Sequence, residues 1–560
     1  MTLWATENQM AKRFLMDFWR EFLWVGLLSL MTNLLMLTPT LYMLQIYDRV
    51  MMSRSELTLL FLTMLVAGLF LMTALSEWLR SRLLVRAGLR MDEKLSPRVF
   101  EAAFESQLAG AQHDAHQAFT HLTNIRQFFT GAGVIALFDV PWTPIYIIVI
   151  SLLHPLLGII AIVFALIQLG MAFLTHQFTY SSSEAAARAD AKSREVLHAK
   201  LRNAESVEAM GMLGSLHDRW LEAHSRSQAQ AAVASNQQKQ FQSLTKFLRY
   251  AMQSITLGSA AMLVIHGELS VGAMIAANVL MTRALQPLDQ LAGSWRSAIQ
   301  AKEAIEKLTA LLKAFPENLK KLHNQSIKGE LRFNELEAMA SSRVEPILHG
   351  LNFMVPAGQV TAIIGPSGSG KSTLARCIVG VWSQTHGQVS LDHVALEEWD
   401  REYLGQHIGY LPQDIELLDG TIADNISRFD SLDSEKVIEA AKRCGIHEMI
   451  LRLPMGYDTP IGTINGILSS GQRQRLALAR ALYGNPQVIV LDEPNANLDD
   501  QGEQALLSAI QTLKAEHKTI FLITHRNHML AVSDFLLILE SGRIAHYGPR
   551  DEVVNAIAKK

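Results

Sequence analysis

Four stretches of this chain are too long and too apolar for an ordinary water-soluble core, and they decide what the rest can be. Phe22–Met43 is long enough to cross a ~30 Å hydrocarbon layer as a helix. Leu57 to about Leu75 is a second such run. The short polar link around Asp48, Arg49, Arg54 and Glu56 makes the two an antiparallel pair. A dense apolar stretch follows from Ala132 to Phe173, interrupted by Asp139, Pro141 and His154-Pro155. The His-Pro step predicts a turn, hence two spans of about twenty residues each. A weaker pair, Tyr250–Ile265 and Val271 to about Leu285, carries Gln253, Ser254, Asn278 and Arg283. Helices lining a polar route look like this, because only part of each face meets lipid. The reading is six transmembrane helices, all placed before Gln290.

The segments between the spans are polar, periodic and poor in Gly and Pro. Ser76–Arg126 and Ser181–Lys246 predict long helical arms outside the bilayer, suited to carrying a signal between domains. Arg80, Arg82, Arg86, Arg90, Lys94 and Arg98 follow an apolar run directly, which places that stretch in the cytoplasm. No cleavable signal opens the chain. Met10–Trp24 mixes Lys12, Arg13, Asp17, Arg20 and Glu21 with Phe14, Leu15, Phe18 and Trp19, the pattern of an interfacial amphipathic helix. Asp139 has two readings: a membrane-depth carboxylate that meets substrate or a coupling group, or, preferred, a residue that ends a helix beside Pro141.

Composition bounds the remainder. A chain of 560 residues exceeds one ordinary core, so at least two domains are expected. A formal net charge of −3 gives no case for a nucleic-acid partner. The two cysteines, Cys377 and Cys444, form neither a disulfide framework nor a CxxC metal site. The expected divisions are an N-terminal interfacial helix (1–21), a membrane domain (22–319) and a soluble α/β domain (320–560).

From Leu331 onward short strand-like runs alternate with helical ones, for example Val360–Ile364, Ile408–Leu411, Val488–Leu491 and Thr519–Ile523. That alternation predicts a parallel or mixed sheet flanked by helices. The run Gly365-Pro366-Ser367-Gly368-Ser369-Gly370-Lys371-Ser372 follows a strand and precedes a helix starting near Thr373. It matches the phosphate-binding Walker A loop in full. Its glycines let backbone N–H groups wrap phosphate oxygens, Lys371 reaches the β- and γ-phosphates, and Ser372 binds Mg²⁺. Val488–Leu491 then delivers Asp492 towards Mg²⁺ and Glu493 towards the attacking water.

Leu468-Ser469-Ser470-Gly471-Gln472, followed by Arg473-Gln474-Arg475, resembles the signature sequence of ATP-binding cassette proteins. Gln413 stands at the family's Q-loop position, Ala496-Asn497-Leu498-Asp499 at the D-loop, and His525 at the switch histidine. The resemblance implies that two cassettes close face to face with two ATP molecules between them. Ser469, Gly471 and Gln472 would meet the γ-phosphate held by the opposite subunit, at a helix N-terminus. His525 would hold the γ-phosphate and position water beside Glu493. Gln413 would sense Mg²⁺ and water and touch the membrane domain. Asp499 would link the two sites. The chain departs from the family at Ser470, where Gly is usual. It also has no aromatic residue between Glu335 and Leu348 to stack on adenine, leaving Val344 or Met339 for that contact.

A six-span membrane domain ahead of one cassette has the exporter arrangement, with a dimer, simplest as a homodimer, as the working unit. Leu41–Val50 and Phe138–Tyr146 resemble the first and third spans of bacterial type I secretion ATPases. The chain begins close to its first span, so the expected branch is the one without an N-terminal peptidase-like domain. That resemblance implies export of unfolded polypeptides across a Gram-negative inner membrane, with a periplasmic membrane-fusion adaptor and an outer-membrane channel. Two other readings are a lipid or small-molecule flippase of the same architecture, and an ATP-binding membrane scaffold without transport, for which Ser470 is the only support.

Overall fold

The computed structural model describes residues 18–110, 117–201, 204–316, 326–340, 345–382, 385–462 and 468–558. Most of the expected interfacial helix (1–21) therefore lies outside the described residues, as does the expected boundary at 319/320. The chain divides into two compact units, Met1–Ala103 with Asp114–Phe315, and Phe104–His113 with Pro316–Lys560.

The first unit is helical. Trp19–Leu35 breaks before Thr38–Gln45, where Pro39 has no N–H to continue the ladder. A π-helical turn, Ile46–Val50, follows, and the whole run Trp19–Ser53 counts as one membrane-crossing segment. Glu56–Leu108 is one helix of 53 residues, about 80 Å long and more than twice the bilayer core. In its most apolar window only 6% of the residues are buried within this single chain. Ala118–Leu153, Pro155–Arg194 and Leu213–Ile265 complete the crossing segments. Among the described residues, five segments are thus long and apolar enough to cross a membrane. The sixth expected span lies in Val271–Ala314, a single 44-residue helix. Asn278, Arg283 and Gln286 dilute its apolar stretch, and it does not reach the same standard.

Polar contacts bind these helices where sequence periodicity gives no sign of them. Asp139 does end a helix, Ala132–Asp139, but its carboxylate turns inward. Arg80 Nη1 donates to its Oδ1 at 2.9 Å and its Oδ2 at 3.2 Å, and Asn33 Nδ2 donates to Oδ1 at 2.8 Å. Ser29 Oγ also donates to Oδ1, and the Tyr146 hydroxyl reaches the Asn33 carbonyl at 2.8 Å. Asp139 is therefore the half-buried partner of the buried Arg80 in an ion pair that, with Ser29 and Asn33, joins three helices. Asp48 does similar work elsewhere. Its carboxylate accepts from Ser270 Oγ at 2.6 Å and from the Gly272 N–H at 2.9 Å, while Ser270 Oγ accepts from Ala273 N at 3.0 Å. Together they cap the start of Val271–Ala314. A Cβ on Gly272 would lie 2.6 Å from Asp48 Oδ1, so a side chain here would displace that carboxylate from the helix start.

In the second unit the sequence-predicted strands appear almost residue for residue. The strands are β1 (Leu331–Ala338), β2 (Leu348–Val355), β3 (Val360–Ile364), β4 (Thr385–Leu391), β5 (Val394–Ala395) and β6 (Ile408–Leu411). They continue with β7 (Gly420–Thr421), β8 (Pro460–Ile461), β9 (Val488–Asp492), β10 (Thr519–Ile523), β11 (Phe535–Glu540) and β12 (Arg543–Pro549). The main sheet has the order β12-β11-β3-β10-β9-β6, with only the β11–β12 pair antiparallel. A second sheet, β2-β1-β4-β5, is antiparallel. The central strands β3, β9 and β10 are near-continuous apolar runs because both faces are covered, as parallel sheets require. Cys377 and Cys444 are buried in the two cores on either side. Since β3, β6, β9 and β10 run parallel, their C-terminal ends meet along one edge, where open α/β sheets bind ligands.

Candidate nucleotide site

β3 ends at Ile364, and the chain turns at once through Gly365, Pro366, Ser367, Gly368, Ser369 and Gly370. Gly365, Gly368 and Gly370 have φ of 156°, 81° and 99°. At Gly365 a Cβ would fall 2.1 Å from the Leu539 carbonyl oxygen, so glycine is required there by space as well as by conformation. Gly370 precedes the helix Lys371–Ile378 without a side-chain cap, leaving the first N–H groups, including those of Ser372 and Thr373, for an anion. Lys371 is buried and donates from Nζ to the Gly365 and Pro366 carbonyls at 2.9 and 2.8 Å. Burial pushes its pKa down, opposed by the nearby Glu493 and Asp492 carboxylates.

β9 places Asp492 beside this loop and Glu493 just beyond. Asp492 is buried, and its Oδ1 has no hydrogen-bond partner. Burial pushes its carboxyl pKa up, against a hydrogen bond from Ser372. Ser372 Oγ lies 3.4 Å from Gln413 Oε1, two residues beyond β6. An unpartnered carboxylate oxygen, a hydroxyl and an amide oxygen are hard donors that fit Mg²⁺, which takes one or two carboxylates at phosphate sites. Among the described residues there is no group of three or more His, Cys, Asp or Glu that would bind a metal without phosphate.

Glu493 sits at φ 50°, a left-handed backbone that a non-glycine residue holds only when its surroundings enforce it. Its N–H donates to the Ile523 carbonyl at 3.0 Å, tying it to the end of β10. Its side chain faces two neighbours, Gln413 Nε2 at 3.4 Å and His525 Nε2 at 3.6 Å. The sheet edge thus brings together Lys371, Ser372, Gln413, Asp492, Glu493 and His525 from four strands.

The helix Ser470–Leu482 has Ser469 as its N-cap. Ser469 Oγ accepts from Gln472 N at 3.3 Å, and the Gln472 side chain accepts from Ser469 N at 2.9 Å, a reciprocal capping box. Ser470 is the exposed first helical residue. At Gly471 a Cβ would sit 2.6 Å from the Asn497 carbonyl oxygen. Asp499 caps the helix Asp500–Ala515 through Gly502 N at 2.8 Å.

Sequence reasoning missed Gln474. It is buried on the Ser470–Leu482 helix and donates to the carbonyls of Glu493 and Pro494 at 3.3 and 3.1 Å. Its only sequence signal was its place inside Arg473-Gln474-Arg475. As for adenine, the aromatic pair Phe333–Phe353 of β1 and β2 is stacked 4.1 Å apart within the core. Met339 has its carbonyl held by Trp382 Nε1 at 2.8 Å. Val344 lies outside the described residues.

Comparison with known proteins agrees with this architecture. Residues 348–496 match the ABC transporter family, and residues 22–288 match the ABC transporter transmembrane region. The chain is 40% identical over 540 residues to the type I secretion system ATP-binding protein PrsD of Rhizobium meliloti (strain 1021), covering 96% of this chain and 93% of that one. It is 28% identical over 545 residues to the toxin RTX-I translocation ATP-binding protein of Actinobacillus pleuropneumoniae, covering 94% of this chain and 75% of that protein. A solved structure of a bacterial Atm1-family ABC exporter with ATP bound superposes with a TM-score of 0.81 over 96% of each chain, at 23% identity, which speaks for the fold alone. A membrane region, a phosphate loop on a parallel sheet edge and a full-length relative at this identity make one assignment: the chain belongs to the ABC transporter family, as a multi-pass membrane ATPase with its cassette in the cytoplasm.

Proposed function

We propose that this protein is the ATP-hydrolysing inner-membrane subunit of a type I protein secretion system. It would export unfolded polypeptides through a periplasmic membrane-fusion adaptor and an outer-membrane channel. The observation that carries this reading is the 40% identity to PrsD across nearly the whole of both chains, membrane region included. The working unit is a homodimer, since the helix N-terminus at Ser469, Gly471 and Gln472 lies on a different element from the phosphate loop and would serve the ATP of a second copy. Asp499, beside that helix, would join the two sites.

Six crossings are proposed, with Val271–Ala314 as the sixth. The basic stretch Arg80–Arg98 follows the second span on the cytoplasmic side. An even number of further crossings is needed to return the chain to the cytoplasm, where ATP is, before the cassette. The polar residues that keep Val271–Ala314 below the apolar standard suit a helix facing other helices or a polar route.

In the site, the N–H groups of Gly365–Thr373 would cradle the ATP phosphates and Lys371 would place its charge on them. Ser372, Asp492 and Gln413 would hold Mg²⁺, which supplies charge neutralisation at the phosphates. Glu493 would orient the attacking water and His525 would hold the γ-phosphate, both set by the turn that fixes Glu493 against Ile523.

The test is affinity purification of tagged Glu493→Gln protein from its native membrane with ATP, followed by mass spectrometry. Recovery of an adaptor and a secreted polypeptide is the expected result. A homodimer carrying lipid and no adaptor would replace this reading with a flippase.

A further inference from the structure

Arg428 has an unusual set of partners. Its Nε donates to the Arg480 carbonyl at 2.9 Å, its Nη2 to the Ala481 carbonyl at 2.9 Å, and its Nη1 to the Ile408 carbonyl at 3.2 Å and to the Gly405 carbonyl. No carboxylate pairs with it among the described residues. Two of these acceptors belong to the last turn of Ser470–Leu482, whose carbonyls have no helical partner. The other two lie in the helix Arg401–His407 and at the first residue of β6.

The backbone supports the same point. Arg428 and Phe429 both have φ of 60°, two successive non-glycine residues in the left-handed region. Such strain persists only where surrounding contacts impose it, and it clusters at functional positions. Here the four carbonyls hold the guanidinium, and the Phe429 N–H is held by the Asp424 carbonyl at 2.9 Å. Burial and the neighbouring Arg480 charge push the pKa of Arg428 down to about 10, so it keeps its charge at neutral pH.

Arg480 extends the connection. From the same helix turn its Nη1 donates to the Glu416 carbonyl at 3.1 Å, three residues past Gln413. The segment carrying Gln413 is thus held at its start, through Ile408, and near its end, through Glu416. The opposite end of the helix is held by Gln474 to the carbonyls of Glu493 and Pro494.

We propose that Arg428 and Arg480 are positioning residues for ATP hydrolysis, fixing the helix Ser470–Leu482 as a strut between the Glu493 backbone and the Gln413 segment. Neither arginine touches the phosphate loop. Both set the relative place of Gln413 and Glu493, which face each other at 3.4 Å. A displacement of about 1 Å between reacting groups can cost on the order of 100-fold in rate, while binding contacts made elsewhere are kept. Lysine cannot replace Arg428, because one ammonium point charge cannot serve carbonyls on three separate segments. It can replace Arg480, which makes a single bond to Glu416.

The experiment uses full-length protein in lipid nanodiscs, with Arg428→Lys, Arg480→Met and Arg480→Lys. ATP turnover and KM are measured alongside equilibrium binding of trinitrophenyl-ATP, and rates are normalised to bound-nucleotide stoichiometry. The expected result for Arg428→Lys and Arg480→Met is a fall in kcat of about 10-fold or more, with KM and nucleotide affinity within about 2-fold. Arg480→Lys recovers kcat to within about 3-fold of the parent. Unchanged kcat in both impaired variants overturns the proposal, as does a kcat loss matched by lost nucleotide affinity, or failure of Arg480→Lys to recover. If Arg428→Lys does not fold, the Arg480 pair decides alone.

Discussion

Asp492, the proposed Mg²⁺ ligand, shows how a site residue strains its own fold. A buried carboxylate with an unpartnered oxygen costs stability, and burial raises its pKa accordingly. Asp492→Asn should therefore stabilise the metal-free protein at neutral pH by about 1–3 kcal/mol while abolishing Mg²⁺-dependent turnover. The sign fixes the pH dependence. A raised folded-state pKa means the native protein binds the proton more tightly, so the cost is present above that pKa and fades as pH falls to the ordinary value of 3.8. Melting curves of the two proteins should converge on acidification, and a constant gap would remove Asp492 as the cause. Glu493→Gln should lower turnover by about 100-fold or more yet leave ATP binding intact, checked by phosphate release and nucleotide retention. These residues were legible in sequence because phosphate chemistry demands fixed residue types at fixed spacing next to a strand. Gln474 and Arg428 were not, because they act through main-chain carbonyls, which any residue supplies.

Single helices were legible from their apolar runs; the contacts that hold them side by side were not. Asp48 lay in a recognisable run, Leu41–Val50, yet only the fold shows that it caps a helix that begins at Val271. Asp48→Ala should cost about 1 kcal/mol of thermal stability in detergent or nanodiscs. Gly272→Ala should destabilise through its clash with the carboxylate, and the double variant should lose less than the sum of the two. Additive losses would separate the two residues. Asp139 was ambiguous in sequence because the same Asp-x-Pro pattern ends helices with or without a partner. With Arg80 as that partner, Asp139→Ala should cost about 3–5 kcal/mol, since it leaves a buried guanidinium uncompensated. Combining it with Arg80→Met should restore part of that loss, and a double variant no more stable than Asp139→Ala would remove the pair as a stabilising unit.

At the scale of the whole molecule, the helix-flanked, mainly parallel sheet of the cassette was legible from alternation and motif spacing, whereas its strand order and the crossing number were not. The proposed sixth crossing, Val271–Ala314, buries small residues such as Ala276, Ala277 and Ala284 against its neighbours and carries polar ones elsewhere, which keeps its composition below the apolar standard. A cysteine at Glu268 should react with a membrane-impermeant maleimide only from the periplasm, and one at Lys307 only from the cytoplasm; labelling of both from one side would exclude the sixth crossing. That experiment needs a silent background, and the fold provides one. Both native thiols are buried; Cys377 is pushed up to about 12, and Cys444 is pushed up as well. Neither forms appreciable thiolate at neutral pH, so neither offers a nucleophile to peroxide, a disulfide or a maleimide. Thiol-directed reductants and oxidants should accordingly leave ATP turnover unchanged for as long as the protein stays folded.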